Sequence, residues 1–256
     1  TVASNAILER RGAKVGLIGS EGFRDVLEIR TLRMPRLYDL AWEKPKPLVP
    51  RRLRTTVPER IDAQGHIVTP LDLAAAAAAI DSLVAAGVEA IAVAFINAYA
   101  NPTHEQAMRA LIAERAPGLA HCISTDVLPE IREYERTSTT VVNCYVLPVV
   151  GAYLKSLGAG LAALGVKAPL SLMQSSGGLT PAAAAARLPV HIIESGPAGG
   201  VVGAQALAEP LGERNIVSFD MGGTTAKAAL VVDGRAERAE ELQVGGETIQ
   251  ASRLLT

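Results

Sequence analysis

Aromatic residues are scarce in this chain of 256 residues, at 4% of positions, which excludes a core filled mainly by large rings. With 49% hydrophobic content there is still enough apolar surface for one large or two modest domains. That core must be packed from Ala, Val, Leu and Ile on closely spaced elements. Cysteine is nearly absent: Cys122 and Cys144 have no paired spacing for a zinc site or a disulfide framework, so a reducing compartment is expected. Excess charge of either sign is missing too. A formal net charge of -1 gives no reason to expect nucleic acid or an acidic membrane as the main partner. No apolar run reads as long enough to cross a membrane, since the one from Ile91 to Ile96 stops at Asn97. The chain opens with neither a secretion signal nor an initiator Met, and both ends read as cuts through continuing elements. A cytoplasmic piece of a longer or processed protein is the expectation.

What is present alternates in character. A first helix that Ser4 or Asn5 can cap and Gly12 can end is followed by the buried strand "KVGLIGS" and a second helix, "GFRDVLEI". From Arg24 to Arg60 ten Lys or Arg stand against five Asp or Glu, and Pro35, Pro45, Pro47, Pro50 and Pro58 break any long helix. That segment is either a solvated loop over the domain or a holder of phosphate or an acidic partner. "LRTTVPERIDAQGHIV" predicts a hairpin turning at Gly65. Thr69 and Pro70 then open the helix "LAAAAAAIDSLVAAG", ended by Gly87. "VEAIAVAFI" has the unbroken apolar character of a buried parallel strand, and residues 102–127 repeat the order of helix and strand. A long helix begins near Glu130, with Pro148 expected to kink or divide it. Its opening charges, Glu130, Arg132, Glu133, Glu135 and Arg136, predict a solvated ion-pair face. His66, His104, His121 and His191 are scattered and read as surface or satisfied core residues. The class is α/β.

Three glycine-rich segments carry the candidate chemistry. "MQSSGGL" follows an apolar strand, and at the carboxyl end of a strand in an open α/β sheet Ser175, Ser176, Gly177 and Gly178 would sit where ligands collect. A bare Gly-Gly turn explains the same residues. On the ligand reading, Gly177→Val obstructs the site and spares the fold. "PVHIIESGPAGGVVGA" predicts strand, turn and helix. Its glycines fit neither the dinucleotide fingerprint nor a P-loop. The nearly bare first turn, with Gly196 and Gly199, either meets an anion through free N–H groups or lets another helix approach closely. "SFDMGGTTAKAALVVDG" gives strand, acid, glycines and strand. A plain hairpin needs only two turn residues. Here Gly222 and Gly223 bare backbone donors toward a polyanion, Thr224 and Thr225 add hydroxyls, and Asp220 can hold a hydrated divalent cation. A structural hairpin is the alternative.

The segments "ASNAILERRGAKVGLI", "GFRDVLEI", "LPEIREYERTSTTVVN", "MQSSGGL", "SGPAGGVVGA" and "FDMGGTTAKA" occur in this order. In them the chain resembles the A subunit of the hydantoinase/5-oxoprolinase family, whose relatives include subunits of ATP-dependent acetone-type carboxylases. The resemblance implies portions of a ribonuclease-H-like fold of the actin and sugar-kinase-like ATPases, with an additional α/β segment. It divides the chain into an N-terminal region, 1–128, and a core region, 129–256, that contains the second phosphate loop. It implies ATP as cofactor, with Mg²⁺ or Mn²⁺. Gly222, Gly223, Thr224 and Thr225 would then face the nucleotide phosphates, with Gly196 and Gly199 nearby. Asp220 would serve as the catalytic and metal-facing acid. Ser175, Ser176, Gly177 and Gly178 would lie toward a small cyclic-amide substrate. A partner B subunit of the hydantoinase type is implied, and neither nucleic acid nor a membrane. The activity implied is ATP-dependent opening of a hydantoin or 5-oxoproline-like lactam, with an acetone-type carboxylase subunit or a non-catalytic, nucleotide-responsive partner as alternatives. Lys227 departs from the pattern, because many relatives carry an acid there.

Overall fold

The computed structural model describes residues 2–32, 38–222 and 226–254, without the side chain of Ser252. The chain divides into two compact units, one of Ile7–Pro148 with Gln243–Ile249, the other of Thr1–Ala6, Val149–Leu242 and Gln250–Thr256.

Helix α1 (Val2–Leu8) contains Ser4 and Asn5 within it, so neither caps it, and it ends before Gly12. Gly12 answers a different need: a Cβ there would lie 2.2 Å from Cε1 of Tyr145. In the unit of Ile7–Pro148, strand β1 (Val15–Ser20) is buried along its whole length. A short helix α2 (Val26–Ile29) follows, and then β2 (Arg54–Val57) pairs with β1 in parallel. The expected hairpin therefore begins later than its sequence suggested. Pro58 cannot donate to a ladder and separates β2 from β3 (Arg60–Ile61), and only β3 pairs with β4 (Ile67–Thr69) around Gly65.

Helix α3 (Leu73–Ala85) is capped by Asp72, whose carboxylate accepts from the N–H groups of Ala74 and Ala75, so Thr69 is not its cap. Its inward face, Ala76, Ala79, Ile80 and Leu83, follows the helical period. Strand β5 (Ala90–Ala94), helix α4 (Thr103–Arg115), strand β6 (Ala120–Ile123) and the short helix α5 (Ser124–Val127) complete a four-stranded parallel sheet in the order β2-β1-β5-β6. The α/β class is as expected.

Helix α6 (Glu133–Ala163) is continuous in helical assignment through Pro148. By length and composition it could cross a membrane, against the expectation from sequence; residues 136–146 are buried in protein, whereas only 17% of its apolar 18-residue stretch is. Its opening charges divide: Glu130 and Arg132 are exposed as expected and Glu133 and Glu135 are half-buried, but Arg136 leaves the solvated face. Arg136 is 1% exposed, and its guanidinium donates to Ser124 Oγ at 2.9 Å and to the Phe95 carbonyl at 2.7 Å. Glu105, fully buried, accepts from Ser124 Oγ and from the N–H groups of Phe95 and Thr125. Ser20 Oγ donates to Glu59, which also bonds His104 Nδ1 at 2.8 Å. His104 is thus a satisfied core histidine. This network closes the carboxyl end of the parallel sheet with protein groups.

In the other unit β7 (Ser171–Met173) and β8 (Leu179–Pro181) form an antiparallel hairpin, followed by α7 (Ala182–Arg187) and a single 3₁₀ turn over Pro189–Ile192. That turn takes the place of the expected strand at "PVHII". Helix α8 (Ser195–Ala208) lies against β9 (Ile216–Met221), which pairs antiparallel with β10 (Ala226–Val232), and β11 (Arg235–Ala236) adds to β10. Strands β12 (Arg238–Val244) and β13 (Glu247–Leu254) form a further pair. Ala198, Val201, Ala229, Val231 and Leu254 make the core of this unit. Full burial of a valine or leucine contributes about 1.5–3 kcal/mol, so these few side chains hold α8 onto the β9–β10 ribbon.

Candidate functional site

The ribbon β9–β10 has two unlike faces. Ile216, Ser218 and Asp220 alternate inward with Val231, Ala229 and Lys227 opposite them, while Val217, Phe219 and Met221 point to solvent. Asp220 therefore emerges partly buried at the end of β9, on the face toward α8. A Cβ on Gly200 of that helix would lie 3.7 Å from Asp220 Cβ, and one on Gly199 would lie 3.5 Å from Met173 Cγ. One glycine pair thus sets both the acid and the end of β7 beside the first turns of α8. Among the described residues nothing lies within 4 Å of a Cβ built on Gly196 or Gly203, so close packing of another described helix does not explain them. Free N–H groups at this bare helix start carry the positive end of the helix dipole. Gly222 is exposed at the exit of β9, and Gly223, Thr224 and Thr225 lie outside the described residues.

Asp220 makes no ion pair among the described residues. One carboxylate with waters and phosphate oxygens suits Mg²⁺, which keeps several waters and needs no all-protein cage. The described residues contain no group of three His, Cys, Asp or Glu side chains that could form such a cage. The donor set therefore fits a hydrated divalent ion.

The turn from Gln174 to Gly178 is not the mouth of an open parallel sheet, since β7 belongs to a two-stranded hairpin. Ser175 is buried: its N–H and its hydroxyl both donate to the His191 carbonyl, at 2.8 and 2.9 Å, and its own carbonyl accepts from Leu254. Ser176 is half-buried and Gly178 is exposed. Gly177 has φ +87, and a Cβ on it would meet Leu254 Cδ1 at 2.9 Å and Val202 Cγ2 at 3.1 Å. The expectation that Gly177→Val spares the fold is therefore overturned. The substitution is expected to destabilise this unit by about 1–3 kcal/mol, through left-handed backbone strain and overpacking. Faster hydrogen exchange across β7 and β8 in the full-length protein checks this, and unchanged exchange contradicts it.

Glu194 and Arg253 had no clear signal in the sequence, and Lys227 stood out only as a departure from the family pattern. Glu194, at the N-cap of α8, pairs with Lys227, and both are partly buried. Arg253 is 3% exposed and donates to the carbonyls of Ile193 and Val190, at 3.0 Å each. Burial pushes its pKa down to about 10, against the pull of Glu194. Burial, and then the nearby Arg253 charge, hold the His191 imidazole below its ordinary range. A cavity of about 590 Å³ lined by Gln205, Glu209, Arg214 and Asp233 lies at the opposite end of the ribbon from Asp220.

Residues 136–256 match the hydantoinase/oxoprolinase profile, and residues 1–116 match the hydantoinase/oxoprolinase N-terminal region. The alpha subunit of caprolactamase from Pseudomonas jessenii is 40% identical over 243 residues, covering 94% of this chain and 35% of that subunit. The crystal structure of the ATP-dependent caprolactamase from Pseudomonas jessenii superposes with a TM-score of 0.90 at 38% identity, over 99% of this chain and 37% of that one. Nucleotide-free acetone carboxylase superposes with a TM-score of 0.89 at 28% identity, over 99% of this chain and 37% of that one. The chain thus spans about a third of the length of these relatives.

Proposed function

The chain belongs to the hydantoinase/oxoprolinase family, and from that premise we propose that it is part of the ATP-using subunit of an enzyme that opens a cyclic amide, of the hydantoin or 5-oxoproline type. The observation that carries this reading is Asp220 at the end of β9, without an ion pair among the described residues and set against the bare first turns of α8. Gly222, Gly223, Thr224 and Thr225 would take the phosphates of ATP, with Gly196 and Gly199 at the helix start beside them. A hydrated Mg²⁺ or Mn²⁺ at Asp220 would neutralise charge on the transferring phosphoryl group. Portions of a ribonuclease-H-like ATPase fold fit this arrangement, with residues 1–128 as the N-terminal region and 129–256 as the core region. Ser176, Gly177 and Gly178 would stand toward the substrate, with Ser175 anchoring their turn. A B subunit would complete the enzyme, as the subunit nature of the caprolactamase relative supports. A cytoplasmic setting accords with the free, buried thiols of Cys122 and Cys144. The 40% identity to a caprolactamase subunit supports a cyclic amide as substrate, although a 5-oxoprolinase and an acetone carboxylase subunit are equally similar at 32%.

The chemistry is an exchange of leaving groups. The amide oxygen takes the γ-phosphoryl group and ADP leaves; water adds to the carbon and the ring C–N bond breaks, giving an amine and an acyl phosphate; a second water then attacks the acyl carbon, so that phosphate departs with the original amide oxygen and both carboxylate oxygens come from water. A lactam labelled with ¹⁸O at the ring carbonyl, given to the complete complex with ATP, is expected to pass that label into inorganic phosphate as the ring opens. Ring opening with no ADP formed would overturn the phosphorylation step; label kept in the carboxylate while ADP forms would move the second water's attack to phosphorus. Bicarbonate fixation onto a ketone, with no lactam opened, would move the enzyme to the carboxylase class.

A further inference from the structure

Glu194 has a backbone and a partner that helix formation alone does not require. It is a non-glycine residue in the left-handed region, φ 64 and ψ 24, a conformation that persists only where the surroundings hold it. An acid at an N-cap ordinarily accepts from the N–H groups of the first turn, yet Glu194 makes no such bond. Its own N–H donates to Ser4 Oγ at 3.3 Å, and its carboxylate is given to Lys227.

Lys227 stands directly opposite Asp220 in the β9–β10 ribbon. Opposite residues leave the same face with Cβ atoms roughly 5 Å apart, where Asp and Lys ordinarily pair across the strands. In this structure the ammonium goes to Glu194 instead, and Asp220 is left without an ion pair among the described residues. The side chains of Lys227 and Glu194 are only 22% and 16% exposed, so their attraction is screened less than that of a surface pair. Arg253, within electrostatic reach of Glu194, is tied to two backbone carbonyls and adds a fixed cation on that side.

We propose that Glu194 is a positioning residue that keeps Asp220 available to a divalent cation by holding the Lys227 ammonium away from it. The inference rests on the reading of Asp220 as the metal-facing acid. With Glu194 neutralised, Asp220 becomes the carboxylate that Lys227 can reach across the ribbon, and the ammonium competes with the metal for it. The helix start needs an acid at this position for that purpose, even though the acid does not cap the helix.

The test is Mn²⁺ binding to the full-length complex, followed by electron paramagnetic resonance, with the Mg²⁺ dependence of turnover measured beside it. Glu194→Gln is expected to weaken Mn²⁺ binding about tenfold, with the same shift in the Mg²⁺ concentration for half-maximal turnover and recovery of kcat at saturating Mg²⁺. Adding Lys227→Met to Glu194→Gln should restore wild-type Mn²⁺ affinity, a rescue that a purely structural role of Glu194 does not give. Lys227→Met alone should bind Mn²⁺ at least as tightly as wild type, a result that does not depend on the folding of the Glu194 variant. Unchanged binding in Glu194→Gln, a defect that Lys227→Met fails to rescue, or weaker binding in Lys227→Met alone overturns the proposal. Asp220→Asn in the same measurement separates the two ideas. If it binds Mn²⁺ normally, the metal reading of Asp220 falls and this inference with it; if it loses Mn²⁺ while Glu194→Gln does not, only this inference falls.

Discussion

Asp220→Asn in the full-length complex is expected to lower ATP-dependent turnover about a hundredfold or more while leaving Tm within a degree or two of wild type. Asn keeps the shape of the side chain and much of its hydrogen-bonding capacity. The ribbon should tolerate it, because Asp220 makes no ion pair among the described residues whose loss would weaken the fold. A change at such a position ordinarily moves stability by about 1 kcal/mol or less. Asn does not supply a full negative charge. If Asp220 holds the metal beside the transferring phosphoryl group, several kcal/mol of transition-state stabilisation depend on that charge, and each 1.4 kcal/mol is tenfold in rate. The loss should appear in kcat at saturating ATP. Wild-type turnover at saturating ATP and metal would return the Asp220 segment to a structural hairpin.

The sequence made parts of this site legible because their geometry is local. A short connection after Asp220 limits which residues can face each other, and β9 and β10 pair antiparallel, with Lys227 opposite Asp220. The succession α3, β5, α4, β6 was readable from helical spacing and from an apolar run with no alternation. Strand β2 was not, because its partner β1 lies far back in the chain and its neighbour Pro58 looked like part of a continuing hairpin. The place of the turn from Gln174 to Gly178 was not legible for a related reason. A strand ending in Ser-Ser-Gly-Gly looks the same whether its neighbour is parallel or, as for β7, antiparallel. Arg136 sits between Glu135 and Thr137, and its charged neighbours suggested solvent. The inward signal lay further along instead, in the long uncharged run that follows Arg136, every residue of which is buried as far as Val146. The role of Glu194 depends on a partner 33 residues away and on a left-handed backbone, neither of which a local pattern announces.

Arg136→Met is expected to be the most destabilising of these substitutions, costing about 3–5 kcal/mol at pH 7 in the unit of Ile7–Pro148. Methionine can fill much of the space along the side chain. It cannot donate to Ser124 Oγ or the Phe95 carbonyl, and it removes the cation nearest Glu105. Glu105 would then be a buried carboxylate with hydrogen bonds and no counter-charge. Burial already pushes its pKa above the ordinary glutamate value, and losing Arg136, which lowers it, pushes it further. A folded-state pKa above the unfolded one gives stability that is complete below the unfolded value and is lost as pH rises through the folded value. The deficit of Arg136→Met relative to wild type should therefore shrink as pH falls from 7 toward 5, where the isolated carboxyl takes up a proton. Glu105→Gln combined with Arg136→Met removes both charges of the pair and should be less damaged at pH 7 than Arg136→Met alone. Hydrogen exchange at the amides of β5 in the full-length protein reads this local stability. A loss below about 1 kcal/mol with no dependence on pH would show that Arg136 does not hold the Glu105 charge in the core.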